Sequence, residues 1–352
     1  MAKLNFASDY TQGAHPAVLK ALCETNLAYS VGYGTDEFCE HAREKIRAAC
    51  CAPQAEVFFL SGGTQTNMTV LDAILQGYEG VIAADTGHIA AHEAGAVEFT
   101  GHKVLPLPHT LGKLSAADVE TFVKGFYADG NYEHMVFPGA VYISQPTEFG
   151  TLYSKAELEA LSAVCKAYGM RLYADGARLA YALGCPQNDV TLPDLGRLSD
   201  VFYIGGTKCG ALLGEAVVIP RAGTIPHFFT QMKRHGALLA KGRVMGVQFD
   251  ALFTDGLYSA IGGPAVEKAE RIKKALVEKG YTLHFDSPTN QIFVRLTDAQ
   301  YAALGEKLIM SFWEKPDDTH TAVRLATSWG TTKGDVEKLG EAINESKMKD
   351  EK

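Results

Sequence analysis

Short apolar runs, rich in Val, Ile, Phe and Tyr, recur through the first 220 residues of the chain. They are VFFL (57–60), VIAA (81–84), KVLPL (103–107), AVYIS (140–144), RLYA (171–174), VFYI (201–204) and AVVI (216–219). Near-continuous apolar runs of this length are typical of strands that are buried on both faces. Helical periods such as SKAELEALSAVCKAYG (154–169) separate several of the runs. The alternation predicts an α/β fold with a mostly parallel sheet, which extends to about residue 240.

A second, smaller α/β region follows this alternation. PAVEKAERIKKALVEKGYTLHF (264–285) predicts a helix and then a strand, and NQIFVRL (290–296) and AVRLAT (322–327) predict further strands. We therefore expect a large domain over residues 1–250 and a small C-terminal α/β domain over residues 251–352. The length of 352 residues agrees with two domains, since one domain typically has roughly 100–200 residues.

The charge and the cysteine pattern exclude several function classes. The net charge of −8 argues against broad nucleic-acid binding, which needs a basic surface. No secretory signal is visible at the N-terminus, and no apolar run approaches the roughly 18 residues that span a membrane. The seven scattered cysteines form no CxxC pair and are typical of reduced thiols. We expect a cytoplasmic protein that acts on a small molecule, with neither nucleic acid nor membrane as a partner.

Ligands of open α/β sheets bind beyond the carboxyl ends of the strands, so the residues after each strand are candidate site residues. SGGTQTN (61–67) follows the run at 57–60 and precedes a predicted helix. Its residues Gly62, Gly63 and Thr64 could bring the backbone and a helix N-terminus close to a phosphate. The segment is neither a Walker A loop nor a GxGxxG motif. A tight strand-to-helix turn without any ligand explains it about as well.

The segment GHIAAHEAGA (87–96) follows the run at 81–84. His88 and His92 are four residues apart, a spacing that can bind a metal on a helix. The HExxH order is absent and no cluster of Cys or Asp adjoins, so we expect no metal site. His88, at the strand end, is the better candidate for a ring that stacks on a flat ligand, and we expect His92 to be structural.

Asp175 comes directly after the run at 171–174, and Arg178 lies three residues further on. A carboxylate at the end of a buried strand is costly unless it is paired. Asp175 could cap the following helix, or it could face a cationic atom of a ligand. The residues themselves leave both interpretations open.

Lys208 lies in the glycine-rich segment GGTKCG (205–210), between two of the apolar runs. A lone lysine in a loop is most often a surface residue. An amine between buried strands is instead desolvated, which lowers its pKa. A lysine with a lowered pKa is suited to Schiff-base chemistry.

These four features together form a set: a phosphate cradle, a ring for stacking, a strand-end Asp and a desolvated Lys. They are the parts needed to hold pyridoxal 5'-phosphate, whose ring acts as an electron sink when its nitrogen is protonated. Asp175 and Lys208 are separated by 33 positions, which leaves room for one helix and one strand. The spacing predicts that the two residues lie at the ends of neighbouring strands.

Eight segments carry a resemblance to a known family over nearly the whole chain. They are ASD (7–9), YGTD (33–36), SGGTQTN (61–67), GHIAAHEAGA (87–96), YADGAR (173–178), GGTKCG (205–210), KGR (241–243) and AVRLATSW (322–329). The sequence resembles the low-specificity L-threonine aldolases, within the β-eliminating lyase group of fold-type I pyridoxal phosphate enzymes. The resemblance implies the aspartate aminotransferase fold of the PLP-dependent transferases. It also implies a homodimer or homotetramer with the active site at the subunit interface, in keeping with the closed symmetry of most oligomers.

The resemblance further implies roles for individual residues. It implies that Lys208 forms the Schiff base, that Asp175 partners the pyridine nitrogen, and that His88 stacks on the cofactor and is a candidate catalytic base. The residues implied to bind the cofactor are Gly62, Gly63 and Thr64 and, from a neighbouring subunit, Arg243 at the phosphate. The residues implied to bind the substrate carboxylate are Ser8, Arg178 and Arg324, since an arginine fork suits a carboxylate.

The sequence departs from the family pattern at a few positions. The stretch before the lysine is GGTK and not serine-rich, Thr35 replaces a Glu in YGTD, and Trp329 follows Arg324 in the last motif. His134 lies close to, but one position away from, a second active-site histidine of some members. These departures concern the pocket for the substrate side chain, so the family pattern does not define that side chain.

The implied reaction is cleavage of L-threonine, L-allo-threonine or a related β-hydroxy-α-amino acid to glycine and an aldehyde. The same cofactor could instead support β-elimination, racemisation or transamination, because all of these start from the same adduct with the substrate amine. An α/β binding protein without a cofactor is the alternative from another class, and it would require the four site elements to coincide by chance.

Overall fold

The computed structural model describes the backbone of residues 3–350 and the side chains of residues 3–345. The strands in chain order are β1 (Leu4–Asn5), β2 (Glu56–Leu60), β3 (Glu79–Ala84), β4 (Lys103–Leu107), β5 (Phe137–Ser144), β6 (Arg171–Asp175), β7 (Val201–Gly205), β8 (Glu215–Ile219), β9 (Thr282–Phe285), β10 (Gln291–Thr297), β11 (Leu308–Ile309), β12 (Ser311–Asp317) and β13 (His320–Ala326). The helices are α1 (Pro16–Glu24), α2 (Glu37–Ala49), α3 (Gly63–Ile74), α4 (His88–Ala91), α5 (Ala96–Phe99), α6 (Ala116–Ala128), α7 (Lys155–Ala167), α8 (Leu179–Leu183), α9 (Leu192–Leu198), α10 (Phe228–Arg234), α11 (Arg243–Leu252), α12 (Leu257–Ala260), α13 (Gly262–Glu278), α14 (Asp298–Gly305) and α15 (Lys333–Asp350). Over residues 3–350, none of these helices combines the length and the apolar character that a membrane crossing requires.

The seven apolar runs found in the sequence form one seven-stranded sheet in the order β2-β8-β7-β6-β5-β3-β4. Strands β3 to β7 pair in parallel, and β8 is antiparallel to both of its neighbours. The prediction of a mostly parallel α/β sheet is therefore confirmed. The antiparallel strand arises because residues 206–214 join β7 directly to β8, whereas a parallel crossover needs about a dozen or more residues.

Helices cover both faces of this sheet, as its apolar strands require. In β7, Phe202 and Ile204 contribute to one hydrophobic cluster, which α2, α7, α9 and α11 complete. Val201 and Tyr203 contribute to a second cluster on the opposite face, together with α3 and α10. Successive side chains of a strand point to opposite faces, so a strand that is buried on both sides has no polar position, and the continuous runs follow from this.

The C-terminal region forms a four-stranded antiparallel sheet in the order β12-β13-β10-β9. Side chains of α13, α14 and α15 pack on it in a third hydrophobic cluster, which also contains Phe6. Strand β1 pairs with β11, so the chain starts against the small C-terminal region before it enters the large sheet. The boundary at residue 250 stays a prediction.

Helix α13 joins the two regions through its packing. Val266, near its start, belongs to the core of the large sheet, while Ile272 and Leu276 belong to the core of the small sheet. At its first residue, Gly262, the helix backbone touches the backbone of Ala180 in α8. Since α8 begins four residues after Asp175, this contact fixes the position of the small region relative to the end of β6.

We expect Gly262→Ala to destabilise the protein, because the added Cβ would overlap the carbonyl oxygen of Ala180. Overpacking of this kind costs about 1–3 kcal/mol of unfolding free energy. The neighbouring Gly263→Ala is the matched control, since its Cβ would lie 3.7 Å from the Gly184 oxygen in ordinary contact. Chemical denaturation should show this control unchanged or stabilised by up to about 1 kcal/mol. Equal stability of the two variants would contradict the packing described here.

Candidate active site

Residues that follow several different strands meet at the carboxyl end of the large sheet. They line a cavity of about 260 Å³, which we call the inner cavity. The predicted site residues in its wall are Gly62, Gly63, Thr64, His88, Asp175, Arg178 and Lys208. Strands β6 and β7 are neighbours, which confirms that Asp175 and Lys208 follow adjacent strands. Two short helices, α8 and α9, connect these strands, where the spacing predicted one.

A wider cavity of about 540 Å³ adjoins the inner cavity, and we call it the outer cleft. Its wall includes Arg324 of β13 and Trp313 of β12, so the small region forms one side of the cleft. The residues that line both spaces are Tyr10, His88, Glu148, Arg178 and Lys208. These shared residues define a junction where a ligand in the inner cavity would meet a molecule in the outer cleft.

One end of the inner cavity is the N-terminus of α3. The cap residue Gly62 is extended and makes no side-chain capping bond. Within residues 3–350 no acceptor binds the backbone N–H groups of Gly63 and Thr64, whereas the N–H of Thr66 bonds to the Gly62 oxygen. A Cβ on Gly62 would meet no atom within 4 Å, so the space beside the helix end is open. Unpaired N–H groups at a helix start form a ready site for an anion such as a phosphate.

Asp175 is a buried residue in the wall of the inner cavity, and its carboxylate accepts three hydrogen bonds. Its Oδ2 accepts from the Tyr142 hydroxyl at 2.6 Å and from Asn67 Nδ2 at 3.1 Å. Its Oδ1 accepts from the Ala177 amide at 2.9 Å. The residue at the start of α8 is Arg178, so Asp175 is not the helix cap that one interpretation of the sequence suggested. A buried carboxylate in this position is suited to a cationic ligand atom.

Lys208 enters the cavity from the loop between β7 and β8. Burial lowers the pKa of its amine, the charge of Arg178 lowers it further, and Asp9, Asp175 and Glu215 oppose the change. The prediction of a lowered pKa is therefore confirmed. The hydroxyl of Tyr181 donates to the Lys208 carbonyl oxygen at 2.6 Å, which fixes the backbone that carries the amine.

His88 starts the short helix α4 and contacts two carboxylates. Its Nδ1 lies 2.6 Å from Oε1 of the buried Glu93, and its backbone N–H donates to Glu148 Oε1 at 3.0 Å. Burial acts to lower the pKa of His88, but the hydrogen bond to Glu93 and the charge of Asp175 outweigh it and raise the pKa. A raised pKa means that the imidazole of His88 keeps its second proton to a higher pH than an ordinary histidine.

The other two histidines considered in the sequence lie elsewhere. His92 is exposed and lines the outer cleft, with its ring 5.9 Å from that of His88. The helix ends at His92 and leaves its ring in the cleft, and the expectation that His92 is structural stays a prediction. His134 is exposed in a short 3₁₀-helix, and it lines neither the inner cavity nor the outer cleft.

The two arginines that are predicted to bind the substrate carboxylate differ in the length of the hydrogen bonds that they already donate to other residues of the chain. Arg178 binds Asp9 through two hydrogen bonds, Nε to Oδ2 at 2.7 Å and NH2 to Oδ1 at 3.0 Å. Burial opposes ionisation of Asp9, but the charges of Arg178 and Lys208 outweigh it and lower its pKa to about 2. The positive charge of Arg178 is thus already balanced by the carboxylate of Asp9 in the free protein.

Arg324 makes longer hydrogen bonds than Arg178. Its NH1 and NH2 each lie 3.3 Å from an acceptor, the Gln291 side chain and the Ala7 carbonyl oxygen. Its Nε is buried without a hydrogen-bond partner among the described side chains. Burial and the charge of Arg178 lower the pKa of Arg324 to about 10. A bound carboxylate would supply both the missing acceptor and the missing negative charge.

Two predicted residues lie outside both cavities of the single chain. Ser8 is buried, its hydroxyl is 3.5 Å from Asp9 Oδ1, and it lines a separate cavity beside β1. Arg243 donates to the carbonyl oxygens of Thr25 at 2.6 Å and Ala28 at 2.8 Å. Because Arg243 is expected to serve a neighbouring subunit, its distance from the cavity of its own chain does not test that role. The roles of both residues stay predictions.

The structure also brings residues into the site that sequence reasoning missed. Glu215, at the start of β8, is buried in the inner cavity wall, and burial raises its pKa to about 7. Glu148 follows β5, so its position in SQPTEFG (144–150), directly after an apolar run, was a sequence signal for it. Asn67, Glu93 and Tyr142 carried no such signal, because their partners are far away in the sequence.

The fold and the site together identify a broad class of protein, within which individual families are then distinguished. An α/β sheet whose strand ends bring together a lysine, a buried Asp and an open helix start is the aspartate aminotransferase architecture. The solved aspartate aminotransferase of Thermus thermophilus has this fold: it superposes with a TM-score of 0.71 at 16% identity, covering 98% of this chain and 91% of that one. The predicted fold is therefore confirmed.

The chain belongs to the β-eliminating lyase family, whose model matches residues 5–305. The low specificity L-threonine aldolase of Pseudomonas aeruginosa is 31% identical over 85% of this chain and 86% of that protein. The corresponding protein of Pseudomonas sp. is 32% identical over 86% of this chain and 87% of its own length. A threonine aldolase structure from Leishmania major is 41% identical, with a TM-score of 0.94 and coverage of 97% of this chain and 99% of that one.

The family confirms pyridoxal phosphate as the cofactor and a lyase as the class of enzyme. The residues present fit this cofactor. The unpaired N–H groups at the start of α3 suit its phosphate, and the buried Asp175 suits a protonated ring nitrogen. The lowered pKa of Lys208 leaves its amine more often neutral, as covalent attachment to an aldehyde requires.

We predict that borohydride reduction of the protein with pyridoxal phosphate labels Lys208. Lys273 is the control, because it is a buried lysine that donates to Asp286 at 2.9 Å and to the Ser287 oxygen at 2.7 Å. An engaged ammonium cannot attack a carbonyl, so peptide mapping by mass spectrometry should find the label on Lys208 and none on Lys273. A Lys208→Ala variant that stays coloured and is labelled at Lys273 would refute this assignment.

Proposed function

We propose that this protein cleaves L-threonine, L-allo-threonine or a related β-hydroxy-α-amino acid to glycine and an aldehyde. The observation that carries the proposal is the junction. Lys208 lines both the inner cavity and the outer cleft, and the outer cleft is also lined by Arg324, whose Nε has no hydrogen-bond partner among the described side chains. The carboxylate of an amino acid matches Arg324, and its amine matches the cofactor aldehyde that Lys208 would hold. The family and the threonine aldolases among its relatives support the proposal.

In this proposal, each residue of the inner cavity holds one part of the cofactor. Lys208 provides the amine for covalent attachment, and Asp175 keeps the ring nitrogen protonated. Gly62, Gly63 and Thr64 bind the phosphate through their backbone, and His88 stacks on the ring. When bound, pyridoxal phosphate supplies an acceptor for the electron pair that is released when a bond to Cα breaks.

The outer cleft orients the substrate. Arg324 binds the carboxylate, and Arg178 lies close enough to add its charge while Asp9 holds its side chain in place. Ser8, which lies next to Asp9 in the chain, is proposed to assist them. Orientation of this kind decides which bond to Cα breaks, because the bond held perpendicular to the ring is the one that overlaps its π system.

Product identification tests this function. Purified protein with cofactor should convert L-threonine, L-allo-threonine or phenylserine to glycine and the matching aldehyde, as detected by aldehyde reduction and amino-acid analysis. A keto acid and ammonia as the only products would instead identify a β-eliminating enzyme. Racemised or transaminated substrate would identify the remaining alternatives.

Arg324→Gln should raise the KM for L-threonine by roughly 10- to 100-fold, since a hydrogen bond to a charged group contributes about 1.5–3 kcal/mol. Gln keeps the polarity of the side chain but cannot offer a charged fork to the carboxylate. Arg271→Gln is the control, because Arg271 is exposed on α13. Steady-state kinetics that show the same KM for both variants would rule out Arg324 as the carboxylate ligand.

We also propose a homodimer or homotetramer with the active site at the subunit interface. Leu27 and Tyr29 are 89% and 101% exposed, and an exposed apolar segment of this kind marks an interaction surface. Arg243 is tied to the same segment through the Ala28 oxygen, which supports its proposed role at the cofactor phosphate of a neighbouring subunit. The molar mass in solution tests the assembly. The cytoplasmic location stays a prediction from the cysteine pattern.

A further inference from the structure

Two chains of hydrogen bonds start from the Asp175 carboxylate, and the first leads to the ring of His88. Asn67 Nδ2 donates to Asp175 Oδ2 at 3.1 Å and, with its other hydrogen, to Glu93 Oε1 at 2.7 Å. Glu93 Oε1 in turn lies 2.6 Å from His88 Nδ1. Glu93 is buried and its Oε2 has no partner among the described side chains. Its contacts with Asn67 and His88 are therefore made through Oε1 alone.

The second chain runs from Asp175 towards Glu148 and is interrupted on the way. The Tyr142 hydroxyl donates to Asp175 Oδ2 at 2.6 Å, and the Ser144 hydroxyl lies 3.3 Å from that of Tyr142. Ser144 gives its one hydroxyl hydrogen to Glu148 Oε1 at 2.8 Å, so its contact with Tyr142 is polar but not a second hydrogen bond. The His88 backbone N–H donates to the same Glu148 oxygen at 3.0 Å, so Ser144 and His88 together hold this carboxylate.

The hydrogen bonds from Ser144 and His88 engage only one of the two carboxylate oxygens of Glu148. Both donors to Glu148 bind Oε1, and no other residue of the described chain donates to Oε2. Glu148 is partly exposed, and it lines both the inner cavity and the outer cleft. It therefore stands at the junction with Lys208, where the reacting bonds of a substrate that is bound beside Lys208 and held by Arg324 would lie.

His88, the other candidate base at the junction, is poorly placed to accept a proton. Its Nδ1 is already engaged by Glu93, and the contacts with Glu93 and Asp175 raise its pKa. A raised pKa means that the second ring nitrogen also carries a proton up to a higher pH, so its lone pair is free less often than in an ordinary histidine. The ring of His88 is also the group proposed to stack on the cofactor.

We infer that Glu148 is the catalytic base, which contacts the β-hydroxyl of the substrate and takes its proton during cleavage. This inference rests on the proposed aldolase function and adds a residue to it. The hydrogen bonds from Ser144 and His88 hold the carboxylate in position, and Oε2 receives the proton.

The step balances without any co-reactant. The O–H bond breaks as its proton passes to Glu148, and its electron pair forms the C=O bond of the aldehyde. The Cα–Cβ bond breaks, and its electron pair stays on the Cα side. The proton that Cα gains to become glycine balances the one lost from the oxygen, so substrate and products differ only by the cleaved bond.

The environment of Glu148 suits this task. Burial raises the pKa of its carboxyl, the charge of Asp175 adds to the change, and the Ser144 hydrogen bond and the charge of His88 oppose it. A carboxylate whose pKa is closer to the working pH is a stronger base than an ordinary surface glutamate.

The test compares two reactions of the cofactor-bound Glu148→Gln variant. The amide oxygen of Gln can still accept from Ser144 and His88, so these two hydrogen bonds are kept while proton acceptance is lost. We expect aldehyde release from L-threonine to fall by about 100-fold or more, as loss of a general base typically costs 10²–10⁴-fold. Exchange of the glycine Cα proton in D₂O involves no β-hydroxyl and should stay within about threefold of wild type. The change in cofactor absorbance on titration with glycine should also be unchanged.

Two further variants complete the design. Glu148→Asp keeps a carboxylate on a shorter side chain and should recover part of the cleavage rate that Gln loses. Glu337→Gln, exposed on α15, is the control and should cleave as wild type does.

The outcomes separate this inference from the function on which it rests. A wild-type protein that releases no aldehyde from any β-hydroxy-α-amino acid refutes the proposed function. A wild-type protein that cleaves, with a Glu148→Gln variant that cleaves nearly as fast, refutes Glu148 as the base. Loss of cleavage and glycine exchange together would also refute it, because Glu148 would then only position the site.

Discussion

The burial of the Asp175 carboxylate at the end of β6 is the constraint on which the rest of the site depends. A charge at the end of a central strand needs donors, and Tyr142 and Asn67 supply them from β5 and α3. Asn67 also donates to Glu93, and the Tyr142 hydroxyl lies 3.3 Å from that of Ser144, which donates to Glu148. The inner cavity thus collects negative charge around one point, and a cationic ring nitrogen is the ligand atom that this arrangement favours.

Other groups in the two cavities attract negatively charged parts of a ligand. The helix start at Gly62–Thr64 offers unpaired N–H groups to an anion, and Arg324 offers an unused donor across the outer cleft. Lys208 lines the same inner cavity as the helix start and Asp175. A bound molecule that carries a phosphate, a cationic nitrogen and an aldehyde finds a matching group for each of them in this cavity. An amino acid then extends towards Arg324, which links the charge pattern of the site to its chemistry.

The sequence contained the features that depend on neighbours in the chain. The apolar runs predicted the seven strands, and the position of Asp175 and Lys208 after two of them predicted their meeting at adjacent strand ends. The direction of β8 was not predicted from the sequence, although the short loop before it favours an antiparallel strand. Contacts between distant segments were not predicted either. No residue near Arg178 in the sequence indicates its ion pair with Asp9, and no residue near Glu148 indicates its hydrogen-bond partner His88. Such contacts are properties of the folded chain and have no local pattern.

A crystal structure of the protein with pyridoxal phosphate tests the central claim most directly, since that claim is a distribution of charge around a bound cofactor. The account predicts continuous density from Lys208 Nζ to the cofactor, the ring nitrogen within hydrogen-bond distance of Asp175, and the phosphate at the N–H groups of Gly63 and Thr64. A cofactor bound in the reverse orientation, or attached to a different lysine, would contradict it.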